Sequence, residues 1–457
     1  MTEHAFDIVV LGGGSGGYAA ALRAAELGKT VALVERDRLG GTCLHRGCIP
    51  TKALLHAAEI ADTVRSASAS GVSASLDGVD GAAMLAHRRA IVEKKTKGLE
   101  GLIARRGITV VSGSGTLTAD RAVAVGDDLY RGTDIVLATG SHSRSIPRIE
   151  PGERILTSEG ALALDRVPER PIVLGGGVIG VEFASAWRSL GAEVTIVEGL
   201  DRLVPNEDAA LSTALGRAFR RRGIASRLAA RVASAVESAS GVTVTLEGGE
   251  TLEGDVLLVA VGRGPSTSGL GLEEAGVALD RGFVAVDAQL RTSVPGVWAV
   301  GDITPGLQLA HRGFQQGIFV AERIAGLEPA PIDESHIPRV TYSSPELASV
   351  GLTQAAAEER YGAEGVAVAE FDLAGNARSE ILGTRGLVKV VRRVDGPVVG
   401  VHLAGDRVGE LITEGQLAVA WDAHPEDIAP LIHAHPTQSE ALGEAFLALA
   451  GKPLHTL

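Results

Sequence analysis

Phe6-Asp7-Ile8-Val9-Val10-Leu11-Gly12-Gly13-Gly14-Ser15-Gly16-Gly17 opens the chain with a short apolar strand that runs into a glycine turn. A helical pattern from Tyr18 to Leu27 follows and ends at Gly28; a second strand, Thr30 to Val34, closes on Glu35. Strand, glycine turn, helix, strand and terminal acid at this spacing make a dinucleotide-binding unit. Gly12 permits the tight turn, Gly14 lets a pyrophosphate approach the backbone, and Gly17 lets helix and strand pack closely. The bare N–H groups at the helix N-terminus suit phosphate. Glu35 is placed to accept hydrogen bonds from ribose hydroxyls.

The unit returns. Pro171-Ile172-Val173-Leu174 leads into Gly175-Gly176-Gly177-Val178-Ile179-Gly180, then a helix to Leu190, Gly191, and a strand from Val194 to Val197 ending at Glu198. The copies align without a gap: Gly12 on Gly175, Gly14 on Gly177, Gly17 on Gly180, Gly28 on Gly191, Glu35 on Glu198. Two units predict two dinucleotides on an α/β scaffold. Glu198 favours NAD, because its carboxylate would repel a 2′-phosphate; Arg202, four residues on, is the residue type an NADP site would use.

Gly40-Gly41-Thr42-Cys43-Leu44-His45-Arg46-Gly47-Cys48-Ile49-Pro50-Thr51-Lys52 holds the only two cysteines of the 457 residues. They lie five positions apart, where a glycine-rich turn enters a helical pattern, Lys52 to Glu59. A disulfide across so short a loop restricts the unfolded chain little and is a poor staple for a large protein. A redox pair suits it better: a helix N-terminus favours the thiolate, and an exchange partner sits beside it. The bland alternative for an arbitrary pair is two free, buried thiols.

Composition narrows the rest. Hydrophobic residues at 45% with 59 glycines fit a glycine-rich α/β protein of about three domains. A net charge of −13 and the lack of a basic run argue against a nucleic-acid partner. No apolar stretch reaches the ~18–20 residues of a membrane span. The N-terminus enters a strand directly, so no signal peptide is expected, and the cytoplasm is the expected location. A cysteine pair there is more often catalytic than structural. No metal site is expected. Gly81 to Ala104 reads as a long helix whose Lys94, Lys95 and Lys97 form a solvated face. Strand-to-glycine endings at Asp134–Ser141, Leu257–Gly262 and Val297–Asp302 could each bring backbone to a cofactor. Pro147 to Gly152 and Arg263-Gly264-Pro265 look like crossings between domains. After about residue 336 antiparallel strands appear (Val340–Tyr342, Val366–Phe371, Gly386–Val391, Val398–His402), with helices at Thr353–Tyr361, Gly409–Ala420 and Ser439–Ala450.

Gly40–Leu55, the two glycine units and His433-Ala434-His435-Pro436-Thr437-Gln438-Ser439-Glu440 resemble the flavin-dependent pyridine nucleotide–disulfide oxidoreductases, over essentially the whole chain. Within them the chain is most similar to the branch that oxidises dihydrolipoyl groups. The resemblance implies FAD in the first unit, NAD in the second, and a homodimer. It implies four parts: an FAD-binding domain (1–147), an NAD-binding domain (148–264), a central domain that completes the FAD site (265–335) and a C-terminal α+β interface domain (336–457). By motif matching, Lys52 would sit near the flavin N5, paired with Glu182. Gly115, Thr139, Gly140 and Ser141 would line FAD. Asp302 would bind its ribityl–pyrophosphate region, and Gln308, Leu309, Ala310 and His311 would run along the ring. Val232 and Gly262 would contact NAD.

The same resemblance implies roles. Cys43 would exchange with substrate and Cys48 would lie against the flavin. His435 would be the general base, reaching into the partner subunit's site, with Glu440 orienting it. Dihydrolipoamide, or the lipoylated carrier domain of a 2-oxoacid dehydrogenase or glycine cleavage complex, would reduce the pair, and the electrons would pass by way of FAD to NAD⁺. His433 is read as supporting or neutral. His45-Arg46 stands where many relatives carry Asn-Val, and Arg46 is expected to add positive charge that helps receive an acidic carrier domain. A reductase of a glutathione- or mycothiol-type disulfide would share Cys43, Cys48 and His435; Glu198 and Ile49-Pro50-Thr51-Lys52 argue against it. A mercuric reductase would want a further cysteine pair. A catalytically silent flavin-binding scaffold would be expected to have lost one of the four chemical residues, and all four stand.

Overall fold

Ile8–Leu11, Val31–Val34 and Ile135–Leu137 are continuous apolar runs, as strands covered on both faces require. In the computed structural model, which describes residues 2–147 and 149–455, they form the centre of one sheet. Strands Thr109–Ser112, Val31–Glu35, Thr2–Leu11 and Asp128–Leu137 lie side by side in that order, all parallel. The start of Asp128–Leu137 pairs with antiparallel Ala122–Val125, and its end takes parallel Val297–Ala299. The chain thus returns to its first unit after residue 296.

Helix Ala310–Ile324 then packs along helix Ser15–Glu26. A Cβ on Gly317 would lie 2.3 Å from the Gly16 carbonyl oxygen, so the two backbones touch and their N-terminal turns face each other. The first helix begins at Ser15, a turn before the expected Tyr18, because the Tyr18 N–H already donates to the Gly14 carbonyl at 2.9 Å.

The second unit is a five-stranded parallel sheet in the order Ala225–Arg227, Thr195–Val197, Pro171–Leu174, Val256–Val259, Ile155–Leu156. It reproduces the first glycine turn closely. An added Cβ would stand 1.8 Å from the Gly12 carbonyl oxygen at Gly17 and 1.9 Å from that of Gly175 at Gly180. Two elements here were not anticipated: helix Ala209–Arg221 and an antiparallel sheet of Val232–Glu237, Val242–Leu246 and Thr251–Gly254.

The C-terminal sheet is antiparallel, in the order Arg339–Thr341, Glu346–Gly351, Val398–Gly405, Leu387–Arg393, Val366–Asp372. Helices Val408–Ala420 and Glu440–Leu449 close a core of Val350, Val390, Val401, Leu403, Ile412, Leu442 and Phe446. Ion pairs tie this sheet to the second unit: Lys389 to Asp208 at 2.9 Å, buried on both sides, and half-buried Arg339 to Glu207 at 3.1 Å. Asp208 also caps helix Ala209–Arg221, accepting from the Ala210 N–H. The expected boundary residue Arg148 and the end residues Met1, Thr456 and Leu457 lie outside the described residues.

Candidate active site

The two terminal acids are held alike. Glu35 accepts from the N–H groups of Gly13 (2.6 Å) and Asp37 (2.8 Å). Glu198 accepts from those of Gly176 (2.6 Å) and Leu200 (2.8 Å). Each carboxylate is therefore fixed at the mouth of its own glycine turn. Arg202 turns away and donates to the Pro205 carbonyl at 2.7 Å. Space remains at both turns: a Cβ on Gly177 would meet nothing within 4 Å, and one on Gly14 would approach only Gly41 Cα, at 4.0 Å.

Gly41 of the cysteine stretch stacks directly on the first turn, where a Cβ would stand 2.7 Å from Gly14 Cα. The short helix Gly41–Arg46 carries Cys43, and Cys48 begins the long helix Cys48–Ser66. Both cysteines are half-buried free thiols that lie against each other. The hydrogen bond from Cys43 holds the Cys48 thiol down at about 7, against burial and with help from the Lys52 ammonium. Cys43 is pushed up by that same hydrogen bond and by burial. The pair thus gives its first proton from the Cys48 side.

Lys52 lies one turn on from Cys48, and its Nζ meets both oxygens of Glu182 at 3.0 Å. Glu182 is buried on helix Val178–Ser189 of the second unit, so the pair links the two glycine units. Burial pulls the Lys52 pKa down, but the Glu182 carboxylate more than offsets this and leaves it raised. Two residues missed in the sequence complete the corner. The Tyr342 N–H donates to Glu182 at 2.9 Å, and its ring covers the Lys52 ammonium at 4.5 Å. Tyr18 sits by Cys43, its phenol pushed up to about 12 by burial and by that thiol.

Residues 6–317 match the family model described as pyridine nucleotide-disulphide oxidoreductase, and residues 337–446 match the model of its dimerisation domain. The chain belongs to this family. It is 42% identical to dihydrolipoyl dehydrogenase 1, mitochondrial, of Arabidopsis thaliana, over 98% of this chain and 91% of that one. A dihydrolipoyl dehydrogenase of Bacillus subtilis is 41% identical, over 98% and 97%. The crystal structure of LpdA from Mycobacterium tuberculosis superposes with a TM-score of 0.90 at 30% identity, covering 98% of this chain and all of that one. The protein is a flavoprotein oxidoreductase with FAD and NAD as cofactors, and with its dimerisation domain it forms a homodimer. No helix among the described residues is long and apolar enough to cross a membrane.

The residues of this family member fit a flavin dinucleotide at the edge of the first sheet. Gln308, just ahead of helix Ala310–Ile324, has a buried Nε2 without a partner, as a donor awaiting a ligand would. Leu309 caps that helix, Ala310 begins it, and His311 Nε2 donates to the Pro338 carbonyl at 2.8 Å. Thr139 donates to the Ser266 carbonyl at 2.8 Å. Gly140 follows, and Ser141 donates to Asp302 at 2.5 Å. Arg263, read from sequence only as part of a crossing, donates to Ser141 Oγ at 2.8 Å and so holds this cluster. Gly115 is buried against Leu11, Val34 and Val123, where a side chain would not fit. In the second unit Gly262 follows strand Val256–Val259 with open space beside it, and Val232 opens the antiparallel sheet.

Arg46 has partners in its own chain: its guanidinium pairs with Asp37 and approaches Glu159 at 3.8 Å, and its side chain stays 42% exposed. His45 donates through Nε2 to the Leu39 carbonyl at 2.8 Å. Together they pin the Cys43 helix to the preceding loop and to helix Ser158–Ala163.

At the other end of the chain, Glu440 Oε1 accepts from His435 Nδ1 at 2.8 Å, and Oε2 accepts from the Thr437 N–H at 2.7 Å. Burial raises the Glu440 carboxyl, but the Thr437 N–H and His435 more than offset it. The His435 side chain is 74% exposed in the single chain, and its Nε2 is free to face a partner subunit.

Proposed function

We propose that this enzyme oxidises dihydrolipoyl groups, free or on a lipoylated carrier domain, and passes the electrons to NAD⁺. The observation that carries the reading is the Cys43–Cys48 pair at the junction of the two glycine units, with one thiol near 7 beside Lys52 and Glu182. FAD, when bound in the first unit, supplies the two-electron link between that pair and the nicotinamide. Glycines 12, 14 and 17 with Glu35, Gly115, Thr139, Gly140, Ser141, Asp302, Leu309, Ala310 and His311 would hold it. Gly175, Gly177, Gly180, Glu198, Val232 and Gly262 would hold NAD⁺. The four parts proposed from sequence frame these two sites.

The oxidised enzyme has Cys43 and Cys48 joined. A substrate thiolate attacks Cys43 Sγ, and the S–S bond breaks toward Cys48. The lower pKa of Cys48 makes it the better leaving group, and the Lys52 ammonium stabilises the departing thiolate. His435 of the partner subunit takes the proton from the second substrate thiol, and Glu440 keeps its ring oriented and its imidazolium stabilised. That second thiolate attacks the substrate sulfur bound to Cys43. The cyclic disulfide leaves, and both cysteines stand reduced, as the structure holds them.

A paired assay tests the reading. One cuvette holds the yellow protein with NAD⁺ and dihydrolipoamide; the other holds it with NADPH and glutathione disulfide. NADH formation in the first alone is the expected result. Turnover only in the second would replace it with the disulfide-reductase reading, and silence in both with flavin bound would favour a scaffold.

A further inference from the structure

Helix Ala209–Arg221 takes no part in the mechanism, yet one of its faces is open. Thr213, Gly216, Arg217 and Arg220 lie one and two turns apart on it and form a wall of a cavity of about 580 Å³. Leu203 and Ile224, both buried, give the cavity an apolar base. Ser226 lines it from strand Ala225–Arg227, which pairs with Thr195–Val197 on one side and is the edge of its sheet.

Gly216 stands inside the helix, where glycine is less favourable than alanine. A Cβ there would meet nothing within 4 Å, so packing does not require the glycine; it keeps the cavity wall open. The arginines are equally unexplained by the fold. Their neighbours Arg222 and Arg227 pair with Asp62 and Glu250. Among the described residues no carboxylate pairs with Arg202, Arg217 or Arg220, in a chain whose net charge is −13. A helix C-terminus favours cations, which accounts for Arg220 in the last turn. Arg217 stands before that turn, and Arg202 comes from another segment. Asp201 is the one acid of the lining.

The cavity is separate from the NAD cradle. None of Gly175, Gly177, Gly180, Glu198, Val232 and Gly262 lines it. The segment 201–204 stands between them: the Val204 N–H donates to the Gly176 carbonyl at 2.8 Å, while Arg202 and Leu203 line the cavity.

We propose that this cavity is a second ligand site of the NAD-binding unit, and that it takes a phosphate monoester carried on a flat, apolar body, as in a nucleoside monophosphate or an aryl phosphate. Arg202, Arg217 and Arg220 supply guanidinium donors to the phosphate. Thr213 and Ser226 supply hydroxyls, and Leu203, Ile224 and the bare backbone of Gly216 supply the surface for the body. The volume falls among those of small-ligand sites. The inference does not depend on which thiol the enzyme oxidises.

The test is isothermal titration of the oxidised, FAD-loaded dimer in saturating NAD⁺, which keeps the cradle filled. The probes are AMP, phenyl phosphate, inorganic phosphate and adenosine. At least one of the two esters is expected to bind, with inorganic phosphate and adenosine weaker by about tenfold or more. AMP alone assigns the body to a nucleoside, phenyl phosphate alone to an aryl group, and both together to any flat apolar group. The double variant Arg217→Gln, Arg220→Gln is expected to weaken the ester by about tenfold or more. Gly216→Leu keeps every charge and fills the open wall; it is expected to abolish binding while flavin absorbance and NADH formation stay at the parent value. The proposal is overturned if neither ester binds at millimolar concentration, if phosphate or adenosine binds as tightly as the ester, or if binding is unchanged in either variant.

Discussion

Lys52 faces a carboxylate and a thiol, and both favour its charged form. Its effect on Cys48 is the reciprocal: the ammonium stabilises the thiolate, second to the hydrogen bond from Cys43. Replacing Lys52 with Met leaves that hydrogen bond and removes the cation. It also leaves Glu182, nearly buried, as an unpaired charge whose repulsion raises Cys48 further. We expect the Cys48 midpoint to rise from about 7 by about one pH unit. The measurement is the pH dependence of iodoacetamide uptake at Cys48 in the dithiol enzyme, resolved by mass spectrometry. Adding Glu182→Gln should bring the midpoint part of the way back. A Lys52→Met midpoint identical to that of the parent would mean that the Cys43 hydrogen bond alone sets the thiolate. Lys52 and Glu182 are 130 positions apart, and only the motif in which each sits brought them together in the sequence. Tyr342, which holds Glu182 and covers Lys52, sits in no motif; its part depends on the end of strand Arg339–Thr341 meeting helices Cys48–Ser66 and Val178–Ser189, which spacing along the chain does not encode.

The glycine turns are legible because they record a backbone contact. At Gly17 and Gly180 an added Cβ would stand under 2 Å from a carbonyl oxygen of the turn, at 1.8 and 1.9 Å. No rotamer relieves such a clash, so each Ala variant must open its own turn. Gly180→Ala is therefore expected to weaken NADH binding at least tenfold, about 1.4 kcal/mol, while flavin absorbance per chain stays at the parent value. Gly17→Ala is expected to do the reverse and lose the yellow colour. Fluorescence titration of NADH and the flavin spectrum separate the two. Flavin lost from Gly180→Ala with NADH binding intact would exchange the assignments of the units. Elements without such a signature were harder to read. Helix Ala209–Arg221 has an apolar stripe of Leu211, Leu215, Ala218 and Phe219, but arginines crowd its last turns. In the sheet of residues 232–254 the middle strand Val242–Leu246 alternates, with Val242, Val244 and Leu246 buried, but its partner Val232–Glu237 does not. The partner of Arg46 was hidden for another reason: Asp37 is close in sequence, but only the folded loop turns that carboxylate toward it.

A single chain holds every chemical residue, yet its dimerisation domain leaves His435 open to solvent, and in the same domain Ile432 is 99% exposed and Trp421 74% exposed. Apolar side chains bared to this degree in a dimerisation domain suit a surface that another copy covers. If His435 serves the thiols of the partner subunit, each dimer has two sites, and each site takes Cys43 from one chain and His435 from the other. Two defective chains should then repair one another. A Cys43→Ser homodimer and a His435→Gln homodimer each lack one part at both sites. In a hybrid, one site has both defects and the other has neither. Chains mixed under dissociating conditions at equal amounts and reassembled give about half hybrids, each with one working site, so about a quarter of the parent rate should return. The rate should be absent when the two homodimers are mixed without dissociation. The hybrids can be isolated with two affinity tags, and dihydrolipoamide oxidation with NAD⁺ is then measured per flavin. Recovery near one quarter in the reassembled mixture, and near one half in the isolated hybrid, supports a site shared across the dimer. If reassembled hybrids bind flavin and stay as inactive as their parents, Cys43 and His435 must act within one chain, and the exposed loop at residues 431–439 would have to close on its own subunit.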